Sequence, residues 1–95
     1  MSENYSYPIN SEWRTEELIA VMDMWTMVER AYEEKVMVED ILAAHKAFKS
    51  VVKSIGEERE LGRSFEEATG YSLYRVMQAA RKQEAGVFNR KDLKK

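Results

Sequence analysis

A chain of 95 residues, 44% of them hydrophobic, makes one domain whose small core buries roughly 60–65% of the surface its unfolded form exposes. It has no cysteine, which excludes disulfides and thiolate metal ligands and leaves aliphatic and aromatic packing to hold the fold. The net charge of −2 hides an asymmetry: residues 1–70 carry 8 Lys/Arg against 15 Asp/Glu, and the remainder carries 7 against 2. No window reaches the ~18 apolar residues of a membrane span, and MSENYSYPIN lacks a basic patch followed by an apolar run, so a soluble cytoplasmic protein is expected.

The single proline, four glycines and abundant Glu, Lys, Ala, Met and Leu predict an all-α fold, with no alternating β-branched runs. Residues 1–13 read as an extended aromatic arm. Pro8 disfavours helix at Tyr7, and Tyr5, Tyr7, Ile9 and Trp13 have no helical spacing.

Thr15, followed by Glu16 and Glu17, supplies an N-cap and an acidic first turn for a helix running to about Glu34. Its apolar side chains cover roughly 220° of the circumference, more than one neighbour requires. The helix is therefore either central, packed on two sides, or half of it faces a second copy of the chain.

A second, amphipathic helix spans about Val38 to Val52, with His45 inside its apolar arc between Ile41 and Phe48. Ser54 and Glu57 have capping-box spacing and open a third helix running to about Thr69. Its apolar face is only Leu61, Phe65 and Ala68, and Gly62 in its middle suggests close approach by another helix.

Gly70 suits the left-handed residue after a helix and Ser72 the next N-cap, with Tyr71 placed to staple against Val76. The fourth helix should end near Ala85, before Gly86, and residues 87–95 form a basic tail that frays. The result is a single compact four-helix bundle-like domain over residues 1–95.

Several strings resemble one small bacterial family: Tyr7-Pro8-Ile9, Trp13, Thr15-Glu16-Glu17, Ala31-Tyr32-Glu33, Phe48-Lys49, Phe65-Glu66 and Gly70-Tyr71-Ser72 with Tyr74-Arg75-Val76. They are similar to uncharacterised protein family 0223 from Tyr7 to about Gly86. The resemblance implies a compact all-helical cytoplasmic protein of Gram-positive bacteria. It implies no activity, cofactor or partner. Arg14 and Met37 stand where relatives tend to have a capping Ser, and Lys53 where they tend to have Pro.

Two surfaces are candidate sites. On the fourth helix Tyr74, Arg75, Gln78, Arg81 and Lys82 lie side by side opposite Leu73, Val76, Met77 and Ala80, a face suited to an anionic partner. With Gly70 and Ser72 before it, the spacing matches a DNA-reading helix-turn-helix. A capped, stapled helical junction explains the same spacing, and Glu66 stands where tightly crossed pairs want a small residue. Glu57, Glu58, Glu60, Glu66 and Glu67 would also crowd phosphates. The second surface is the soft apolar stripe of Met24, Met27, Ala20 and Ala31 on the first helix, suited to self-association or to a partner helix.

With one histidine, no glycine-rich phosphate loop and no nucleophile motif, no catalytic, cofactor or metal residue is assigned. The expectation is a non-catalytic protein-protein interaction or regulatory protein, a homodimer by preference. Its alternative is nucleic-acid or polyanion binding through the last helix.

Overall fold

A computed structural model describes residues 12–89 and Leu93; of the expected arm over residues 1–13, residues 1–11 lie outside the described residues, and Trp13 is partly buried against the core. Four helices follow in order: α1 (Thr15–Glu33), α2 (Val38–Val51), α3 (Ile55–Thr69) and α4 (Leu73–Gln83). Among the described residues the only strand-like pairing is an isolated antiparallel bridge between Met37 and Val87. The all-α expectation holds.

The core is organised on Trp25 of α1, which is fully buried. Phe65 of α3 stacks on its ring at 4.5 Å between centroids, and Phe48 of α2 meets it edge-on at 5.5 Å. Such pairs contribute about 0.5–1.5 kcal/mol beyond their buried area. Val21, Met24, Val28 and Ala31 continue the buried stripe along α1, meeting Ile41 of α2 and Val76 and Ala80 of α4 in one cluster. Packing of α1 against both α2 and α4 accounts for its wide apolar arc: it is the central helix.

This corrects the apolar candidate surface. Met24 and Ala31 are completely buried, and Ala20 and Met27 are partly so. Its two central side chains, Met24 and Ala31, are core, while Ala20 and Met27 keep part of their surface open.

The helix starts follow local hydrogen bonding. The N-cap of α1 is Arg14 rather than Thr15, and the Glu17 carboxylate reaches back to accept from its backbone N–H at 2.9 Å. Met37, the N-cap of α2, has no capping side chain; the Val38 N–H beside it donates to the Gly86 carbonyl at 2.7 Å. Ser54 caps α3, accepting from the Glu57 N–H at 3.2 Å, as its spacing predicted.

At the α3–α4 junction Gly70 is left-handed (φ 83°) and its N–H donates to the Glu66 carbonyl. Ser72 caps α4, accepting from the Arg75 N–H at 3.1 Å. The Tyr71 ring stacks on Tyr32 of α1 at 4.5 Å, and its hydroxyl donates to Glu33 at 2.5 Å. Tyr32 in turn accepts from the Ser72 N–H. The junction is thus fastened to the end of α1, where the sequence had Tyr71 serving only its own helix.

Two further expectations change. Helix α4 ends at Gln83, because Glu84 turns to φ 78° and the Gln83 side chain bonds the Ala85 and Val87 carbonyls and the Asn89 N–H. The chain after it does not fray at its start: the Phe88 N–H donates to the Val36 carbonyl at 2.7 Å, and Phe88 and Leu93 are buried. A Cβ at Gly62 would meet Leu73 Cδ2 at 3.6 Å, an ordinary contact. The α3–α4 approach there is close, yet it does not require glycine.

Candidate functional site

Helix α3 has a single fully buried residue, Phe65, and packs beside α4, with Leu61 partly buried against the core. A cleft of about 700 Å³ opens between them, within the range of ligand pockets. Gly62, Leu73 and Met77 give it an apolar lining, and Ile55 and Tyr74, exposed at 65% and 71%, add apolar surface open to solvent.

One end of the cleft carries a polar latch from α2 to α3. The His45 Nε2–H donates to Glu58 Oε2 at 2.9 Å, and Lys49 Nζ donates to Glu58 Oε1 at 2.9 Å. A carboxylate only accepts, so the proton of the first bond belongs to the imidazole. Burial pushes the Glu58 carboxyl up, but the hydrogen bonds and charges of His45 and Lys49 outweigh it and hold the group below its ordinary range. His45 is accordingly a nearly buried structural donor, in agreement with its place in the apolar arc of α2.

The other charges in the cleft behave differently. Arg59 and Arg63 on α3, one turn apart, and Arg81 on α4 line it and are exposed. Among the described residues none of the three has an ion pair or a side-chain hydrogen bond. Glu66 lines the same cleft, so the wall is mixed in charge with cations in excess. The far flank of α3 carries Glu57, Glu60 and Glu67 beside a shallow depression of about 420 Å³, whose border Arg63 shares with the cleft.

All five residues assigned to the basic face of α4 are exposed, and they border two depressions that meet at Tyr74. Tyr74, Arg75, Gln78 and Lys82 line a shallow groove of about 520 Å³, with Gln78 Nε2 donating to the Tyr74 hydroxyl at 3.2 Å. Arg81 falls on the cleft side, and Tyr74 borders both. Sequence reasoning missed Arg59, Arg63 and the apolar lining. The available signal was the four-residue spacing of the two arginines around Gly62, which places all three together.

Among the described residues no group of His, Asp and Glu could hold a metal ion, and no helix is long and apolar enough to cross a membrane. Fold and site together define a small all-helical protein with an open basic and apolar cleft between its last two helices. The chain belongs to the uncharacterised protein family UPF0223, which matches residues 4–89. UPF0223 proteins similar to it include one from Enterococcus faecalis, 52% identical over 88% of this chain and 91% of the relative. Another, from Streptococcus gordonii, is 47% identical over 94% and 97%, and one from Streptococcus pneumoniae is 49% identical over 90% and 94%. The family carries no assigned function, and none of these relatives is named for an activity.

Proposed function

We propose that this protein is a non-catalytic, cytoplasmic interaction protein whose working surface is the α3–α4 face. The observation that carries this reading is the cleft itself, where exposed apolar side chains lie beside three arginines that have no partner among the described residues. Exposed apolar surface rimmed by charge is the usual make-up of a protein contact. The polar latch supports a structural rather than a chemical role for the one histidine, since its Nε2 is committed to Glu58.

Self-association remains compatible with this surface, because a copy of the chain is itself a protein partner. It no longer rests on the stripe of α1, whose Met24 and Ala31 are core. Nucleic-acid binding through α4 is the second reading, favoured by the exposed Tyr74, Arg75 and Lys82. Against it stands Glu66 in the cleft and the acidic far flank of α3, which repel a phosphate chain crossing both helices.

Site-specific photo-cross-linking in living cells tests the reading. A benzoylphenylalanine replacing Tyr74 should give a discrete protein adduct that disappears when Arg63 and Arg81 are changed to Glu. The same probe at Lys46, exposed on α2 and outside the cleft, should not give it. Adducts only with nucleic acid, or the same adducts from both positions, overturn the reading.

A further inference from the structure

We infer that the cleft takes an acidic amphipathic helix of a partner protein, a large apolar side chain of which seats among Gly62, Leu73 and Met77. This rests on the interaction reading above and specifies the chemistry of the partner. Charge and shape select the same kind of occupant. The cations in excess are Arg59 and Arg63 on one wall and Arg81 on the other, each without a partner among the described residues.

Two arginines four residues apart on α3 are separated by about 6 Å along the helix, the same rise that separates carboxylates at i and i+4 on a docking helix. Guanidinium forks match carboxylates bidentately, so that register gives orientation as well as attraction. Between the cations the floor is apolar, made by Gly62 and the edges of the nearly buried Leu73 and Met77, with exposed Ile55 and Tyr74 beside it; Gly62 leaves room for the anchor side chain where any other residue would project a Cβ toward Leu73.

The same observations disfavour a nucleic acid as occupant. Phosphates along a strand would have to pass both Glu58 and Glu66, whereas a helix that alternates carboxylate and apolar residues can direct each charge to an arginine. Lys49 is not counted among the binding cations, because it is already paired with Glu58 at 2.9 Å.

The test is selection of binders to the full chain from an unbiased library of displayed peptides, followed by fluorescence anisotropy on synthetic copies of the enriched sequences. Enriched peptides are expected to carry an aromatic or large aliphatic residue and Asp or Glu at helical spacing. Arg63→Glu with Arg81→Glu should weaken binding by at least about tenfold, and Arg63→Gln with Arg81→Gln by several-fold, while Lys46→Glu leaves it unchanged. Circular dichroism melts verify that each variant is folded, and the Gln pair keeps the test valid if charge reversal perturbs α3.

Affinity should fall as salt is raised from about 0.05 to 0.5 M. Enrichment of neutral or basic peptides that still compete at the cleft would overturn the acidic partner but leave the interaction reading intact. Failure to enrich any peptide overturns the inference. So does a single-stranded oligonucleotide that binds through Arg63 and Arg81 and is not displaced by an enriched peptide; that result overturns the interaction reading as well.

Discussion

Trp25 and Phe65 stack nearly parallel, 13° between their planes and 4.5 Å between centroids, and this contact is how α3 enters the core. Phe65 is the one fully buried residue of that helix, and with the partly buried Leu61, the Glu58 latch and the fastened C-terminal junction it holds α3 to the body.

Phe65→Ala should therefore remove about 3–5 kcal/mol, a large share of the ~5–15 kcal/mol expected for a domain of this size. The melting temperature should fall by more than about 10 °C. Phe65→Leu keeps most of the volume and should lose much less. Thermal denaturation of the two variants, with hydrogen exchange across residues 55–69, would reveal whether α3 detaches before the remaining helices unfold.

Glu58 gives a pH dependence with a defined sign. Its folded pKa lies below its ordinary value of 4.5, so its contribution is fully present above about pH 4.5 and is lost as pH falls through the depressed value. Glu58→Gln retains the shape but not the charge, and should lose on the order of 1 kcal/mol at neutral pH. The stability difference between wild type and Glu58→Gln should shrink toward zero in acid. Urea titrations at several pH values measure that difference directly; a gap that widens on acidification contradicts the latch.

The two glycines of the α3–α4 unit should respond in opposite ways. At Gly62 the backbone is helical and the new methyl meets Leu73 at 3.6 Å, so Gly62→Ala should stabilise by up to about 1 kcal/mol. Gly70 has open space around it but a φ of 83°, so Gly70→Ala should cost about 1–2 kcal/mol through backbone strain alone. Equilibrium denaturation of both variants distinguishes crowding from conformation.

The segment after α4 should matter although it is mostly irregular. Phe88 is buried, and its N–H is bonded to the carbonyl of Val36 in the α1–α2 connection. Phe88→Ala should destabilise by about 3 kcal/mol, and the loss should appear as faster hydrogen exchange at Phe88 and Val38, which bond across the strap. Equal protection in both proteins would mean the strap closes without its aromatic anchor.

The sequence by itself determined the four helices, because each has a feature that acts within a few residues. Ser54 and Ser72 accept from N–H groups three residues on, Gly70 adopts the left-handed turn, and apolar side chains recur at the helical period. Family membership was legible for the same reason, through strings such as Gly70-Tyr71-Ser72 in fixed register with Trp13 and Thr15-Glu16-Glu17.

Only the tertiary structure decided where those helices face. Both central and dimeric readings of α1 satisfied its arc, and packing by α2 and α4 chose the first, making Met24 and Ala31 core. The strap of Phe88 depends on the Val36 carbonyl and the Val38 N–H about fifty residues earlier in the chain, which no local pattern reveals. The cleft has the same origin: Arg59 and Arg63 become neighbours of Arg81 only when Gly70 and the Tyr71–Tyr32 stack fold α4 back beside α3. Periodicity fixes which side of a helix is apolar, because that depends on one chain segment. Which neighbour covers that side, and what is left uncovered, depends on all of them at once.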